Sequence, residues 1–231
     1  MSEPSADPTQ LGQALHAIGA FTGSDGSLTR RIAGLEASLQ GLRRDEIGLA
    51  ALDAGISADL LPAAQQVKAL AGQINVVIHA IGIITSLPYI LEEGEQVESL
   101  SLGAGNTGRD WDLATDRQIA EFKFITWRGG PESIRQNTLF ADVFHLAEAV
   151  TERRRVLYVT GIEHPLRFLE NRRAIRSVLS KNAKLAEQFE SRYGSRFARV
   201  NEYWAAIRDR VEIVDLTTVV PDLMELDGRA S

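Results

Sequence analysis

Residues 110–124 read DWDLATDRQIAEFKF, two alternating apolar and polar runs that meet at Asp116-Arg117. A two-residue turn at that point makes a β-hairpin, and it places Thr115 opposite Gln118, Leu113 opposite Ala120, Asp112 opposite Glu121 and Asp110 opposite Lys123. Side chains alternate faces along a strand, and opposed residues share one. Trp111, Leu113, Ala120, Phe122 and Phe124 are thus expected on an apolar face, and Asp110, Asp112, Glu121 and Lys123 on the other. Carboxylates directly opposed across a ladder repel one another. Lys123 supplies one compensating charge, and a hard divalent cation would supply more, since Mg²⁺ is commonly held by one or two carboxylates with water and phosphate.

The hairpin lies within a larger α/β pattern. Residues 95–102 form a preceding strand, and GGPES at 129–133 starts a helix running through IRQNTLFADVFHLAEAV. VLYVTG at 156–161 is a short apolar run, as in a strand covered on both faces, and VEIVDL at 211–216 is a last strand after two or three basic helices. The expected order is α-β-β-β-α-β-α-α-β, which places the hairpin inside a mixed sheet. Residues 1–8 read as a disordered tip, followed by helices over about 11–18, 28–44 and 45–54. The chain thus divides into a helical appendage over 1–57, a possible surface for a second copy or a partner subunit, and an α/β domain over 58–231.

GAGNTG at 103–108 matches G-x-G-x-x-G by letter only. A dinucleotide loop follows a strand and opens a helix, but here an alternating strand pattern follows. A Walker A loop needs Lys then Ser/Thr, and the chain has Arg109-Asp110. A kinase loop needs H-R-D and D-F-G motifs, which do not occur. The glycines are expected to be a strand connection.

Composition removes further classes. With no cysteine, disulfides, thiolate zinc sites and a cysteine nucleophile are excluded, and the four histidines lack metal-ligand spacing. No basic and apolar leader opens the chain, so a cytoplasmic location is expected. Residues 69–91 carry no formal charge, but Gln73, Asn75, His79, Thr85, Ser86 and Pro88 interrupt them; a buried helix and no membrane partner are expected. The net charge is −6, yet residues 151–210 hold 14 Lys/Arg against 7 Asp/Glu. Such a basic segment on an acidic chain suits an anionic partner.

Asp112 on one hairpin strand and Glu121-Phe122-Lys123 on the other resemble the signature of the PD-(D/E)XK nuclease superfamily, whose restriction-endonuclease-like fold has a mixed sheet flanked by helices. The resemblance covers about residues 58–162. No proline precedes Asp112, and Asp110 is an alternate for the motif aspartate. Gln136 with Phe140 is similar to the Q-x-x-x-Y of the RecB-like branch, with Phe in place of Tyr. The resemblance implies a metal-dependent nuclease acting on nucleic acid, with DNA the expected substrate. Asp112 and Glu121 would hold Mg²⁺ or Mn²⁺, assisted by a backbone carbonyl near Phe122, Lys123 would stabilise developing charge, and Gln136, or less directly Arg135, would orient water or phosphate. Arg153, Arg154, Arg155, Arg172, Arg173 and Arg176 are candidate contacts to the nucleic-acid backbone. The alternative is the same fold without catalysis, acting as a DNA-binding or assembly subunit.

Overall fold

A computed structural model describes residues 8–22, 28–103, 110–124, 127, 132–221 and 223. The tip at 1–7, the GSDGS stop and most of GAGNTG lie outside the described residues, as do Thr126 and the GGP of the expected helix start. The chain forms two compact units, Met1–Asn75 and Val76–Ser231. The first contains α1 (Pro8–Thr22), α2 (Leu28–Leu39), α3 (Arg44–Asp53) and the start of α4 (Leu60–Ile90).

The second unit is a mixed α/β domain. Its strands are β1 (Val97–Leu100), β2 (Leu113–Thr115), β3 (Gln118–Lys123), β4 (Arg154–Val159) and β5 (Glu212–Asp215), and they lie in that spatial order. Pairing is antiparallel from β1 to β3 and parallel from β3 to β5. Between β3 and β4 the chain crosses over through α5 (Ser133–Glu148); α6 (Glu163–Leu169), α7 (Ile175–Leu179), α8 (Ala183–Tyr193) and α9 (Val200–Ile207) precede β5. The expected order of strands and the expected hairpin register, Leu113 opposite Ala120 and Ala114 opposite Ile119, are present, but four helices, not two or three, separate β4 from β5.

A buried polar network pins that register. Thr115 Oγ1 accepts from the amides of Arg117 and Gln118, closing the turn. The same hydroxyl donates to Glu95 Oε1 at 2.5 Å, which also accepts from Gln118 Nε2 at 2.8 Å. Tyr158 on β4 donates to Gln118 Oε1 at 2.8 Å. Thr115 and Gln118 are fully buried, so each lost partner would leave a polar group unsatisfied.

Both faces of the sheet are covered. Ala114, Ile119, Leu157 and Val159 pack against α5 to α9, with Phe140, Phe144, Phe189 and Tyr203 as the aromatic centre. Leu113, Ala120, Phe122, Val156 and Tyr158 pack on the opposite side against Ile83 of α4 and Leu216 and Val220 beyond β5. Trp111 departs from the expected pattern, because it packs with the first cluster and not beside Leu113. The β2 ladder begins at Leu113, so strand alternation does not govern the residues before it.

The expected buried helix over 69–91 is also corrected. α4 is long and apolar enough to cross a membrane by length and composition, and little of its most apolar stretch is buried. Ile83 and Ser86 are fully buried, and Leu87 and Ile90 pack beside them. In contrast, Val77, Ile78, Ile81 and Ile84 are between 45% and 58% exposed. A sheet face takes one stripe of a helix, and this helix is apolar on more than one.

Gly82 sets how closely α4 meets the sheet. A β-carbon there would lie 2.6–2.7 Å from the ring of Phe124, which stacks on Phe122 at 5.7 Å. Gly82→Ala is expected to lower stability by about 1–3 kcal/mol, despite its better helix propensity, because the packed ring must shift. Urea denaturation reads this directly, and an unchanged or higher midpoint would contradict the packing.

Candidate active site

The site forms where β3 meets the segment before β2. On β3, Ile119, Glu121 and Lys123 point to the face covered by α5, where Ile119 is buried and Glu121 and Lys123 are half-buried. Asp112 lies just outside the ladder. Its Oδ2 accepts from the backbone N–H of Phe122 at 3.0 Å, and its Oδ1 lies 3.2 Å from His79 Nε2 on α4. His79 is held edge-on to Phe124, with ring centroids 6.1 Å apart. On α5, Asp142 forms an ion pair with Lys123, Oδ2 to Nζ at 2.8 Å.

The electrostatics follow from burying three carboxyl groups with few cations. Burial, with the charges of Asp142 and Asp112 nearby, pushes the Glu121 carboxyl up to about 9 against the pull of Lys123. The proton it keeps at neutral pH is shared in a hydrogen bond with Asp112. Burial also works against ionised Asp112, but hydrogen bonds from His79 and the Phe122 amide outweigh it and hold Asp112 below the ordinary carboxylate range. Burial raises the Asp142 carboxyl, and Lys123 only partly offsets this. Burial disfavours charged Lys123, yet Asp142, Glu121 and Asp112 together keep its ammonium more basic than usual.

Asp112, Glu121 and Lys123 therefore come together as the hairpin spacing indicated. Asp110 does not join them. It is exposed and lines a separate open groove with Trp111, His145 and Glu148. Gln136, on the first turns of α5, accepts from Arg173, and Phe140 is a fully buried core residue. The neighbouring Arg135 pairs with Glu132 and lines a small cavity with Lys123, Thr160 and Gly161.

The two arginine groups differ. Arg153 pairs with Glu98 at 2.7 Å, Arg154 with Glu212 at 2.9 Å, and Arg155 donates to the carbonyls of Ala149 and Thr151. They sit at the opposite end of the sheet from Lys123. Arg154 is level with Gln118, and Val159 is level with Lys123, so the separation is about 16 Å along the strand. Arg172 and Arg176 are exposed beside α7, next to the Arg173 that holds Gln136.

Sequence reasoning missed His79 and Asp142. His79 is a polar residue within an uncharged run, and Asp142 is the only acid in ten residues of α5 from Gln136 to His145. Both were signals of a buried polar contact.

Among the described residues no three His, Cys, Asp or Glu side chains are gathered closely enough to hold a metal by themselves. The donor set still suits a cation that completes its shell with water and phosphate. Two carboxyl groups share one proton, and Lys123 is the one ammonium beside them. The chain matches no family model, no curated protein and no solved structure.

The buried proton makes stability depend on pH. Glu121 is held protonated up to about 9 in the folded protein and ionises near the ordinary carboxylate range when unfolded. Between those values the folded state binds more protons, so stability falls as pH rises. In EDTA, Glu121→Gln is expected to remove that loss and to exceed wild type by about 1–3 kcal/mol at pH 8, with little difference near pH 4. Denaturant titrations at several pH values check this, and parallel pH profiles would show that Glu121 is ionised in the fold.

Proposed function

We propose that this chain is a metal-dependent nuclease of the PD-(D/E)XK type, acting on DNA. The observation that carries the reading is the meeting of Asp112, Glu121 and Lys123, with Asp112 held on the Phe122 amide and Lys123 paired with Asp142, on a hairpin at the centre of a mixed sheet. The order of a helix, three strands, a helix and a parallel strand supports a restriction-endonuclease-like core.

Asp112 and Glu121 are the residues that would hold Mg²⁺ or Mn²⁺, which would supply Lewis acidity at the scissile phosphate and lower the pKa of water. Glu121 must release its proton for this, so metal affinity rises with pH below about 9. His79 and the Phe122 amide fix the orientation of Asp112. Lys123 stabilises the negative charge that develops on the phosphoryl oxygens, and Asp142 holds its ammonium in place. A water oxygen bonds to phosphorus while the bond to the leaving sugar oxygen breaks; the attacking water gives its proton to a second solvent water, and a solvent water returns a proton to the alkoxide. Arg172, Arg173 and Arg176 supply contacts to the phosphate backbone, which give affinity without sequence information.

Purified protein is expected to cleave linear or single-stranded DNA with Mg²⁺ or Mn²⁺, and EDTA is expected to abolish this. Asp112→Ala, Glu121→Ala and Lys123→Ala should each lower the rate by at least about a hundredfold. Activity that resists EDTA, or that is equal in wild type and all three variants, would overturn the reading. DNA binding without metal-dependent cleavage would favour the non-catalytic alternative.

A further inference from the structure

Between α7 and α8 lies a groove of about 600 Å³ whose chemistry is divided by depth. Its floor is apolar: Ile175, Leu179 and Phe189 are buried there, and the half-buried Phe197 stands at one side. Arg172, Arg176 and Arg199 form its rim, with Glu190 as the one acid. Arg199 lies 3.9 Å from Glu202 and donates to the Arg172 carbonyl. Among the described residues neither Arg172 nor Arg176 is ion-paired with a carboxylate.

A ligand that fits has a flat apolar body and anionic groups on its outer side, which describes a nucleotide unit with its base turned in. In a duplex the bases are stacked inside and only phosphates would reach the rim, so the floor would stay empty. Single strands offer both parts, and proteins that bind them combine cationic grooves with apolar or aromatic base platforms. The groove is linked to the candidate active site through Arg173, which follows Arg172 of the rim and holds Gln136, the helix neighbour of the Arg135 that lines the cavity with Lys123.

We propose that this groove binds a single-stranded segment of the nucleic-acid substrate, with a base against the half-buried Phe197 above the Ile175, Leu179 and Phe189 floor and phosphates on Arg172 and Arg176. The proposal rests on the nuclease reading and adds a preference for substrates with an unpaired strand.

The test is fluorescence anisotropy in EDTA, with a labelled 12-nucleotide oligo(dT) and a blunt 12-base-pair duplex. Wild-type protein is expected to bind the single strand at least about tenfold more tightly than the duplex. Arg172→Ala/Arg176→Ala and the charge reversal Arg176→Glu alter exposed residues, and each should weaken single-strand binding about tenfold. The double variant should also flatten the dependence on salt. Equal affinity for both probes, or variants that bind oligo(dT) like wild type, would overturn the groove assignment. Because no cleavage occurs in EDTA, that failure is separate from failure of the nuclease reading, which the Mg²⁺-dependent assay reports.

Discussion

β3 is bonded on both sides and covered on both faces, and the site follows from that position. Helices lie over both faces of this central strand, so Glu121 and Lys123 are half-buried rather than fully solvated. Their charges must be met from within the protein or removed by protonation. Asp142 reaches Lys123 from α5, and Asp112 meets Glu121 from the edge of β2. The result is a group of three carboxyls with one ammonium, which keeps a proton that a solvated glutamate would lose.

Packing around the site serves that placement. The turn network of Glu95, Thr115, Gln118 and Tyr158 sets the register that brings Asp112 to Glu121. Gly82 lets α4 lie against Phe124, and this helix carries His79 to Asp112. Four separate segments therefore meet at the site: α4 with His79, the residue before β2 with Asp112, β3 with Glu121 and Lys123, and α5 with Asp142.

Much of the hairpin was legible in the sequence, because a two-residue turn and strict alternation leave one register open. Asp112, Glu121 and Lys123 could be grouped on that basis alone. Asp142 and His79 could not, since each reaches the site through a helix whose rotation over the sheet depends on packing. Trp111 was placed on the wrong face because alternation was extended beyond the first ladder residue. The arginines of 153–155 looked equivalent to those of 172–176 in a count of charge. Their partners differ, because the first group lies at the strand end where Glu98 and Glu212 converge. The expectation of a buried α4 failed since the absence of charge reports what a helix can bury, and one sheet face covers a single stripe.

The central claim is that Asp112 and Glu121 are a cation site completed by the removal of one proton. Anomalous diffraction from crystals soaked in Mn²⁺ at pH 8 tests it most directly. The account predicts a peak within coordinating distance of carboxylate oxygens of both Asp112 and Glu121, lost in Glu121→Gln crystals. Absence of a peak there, or a peak unaffected by that substitution, would contradict it.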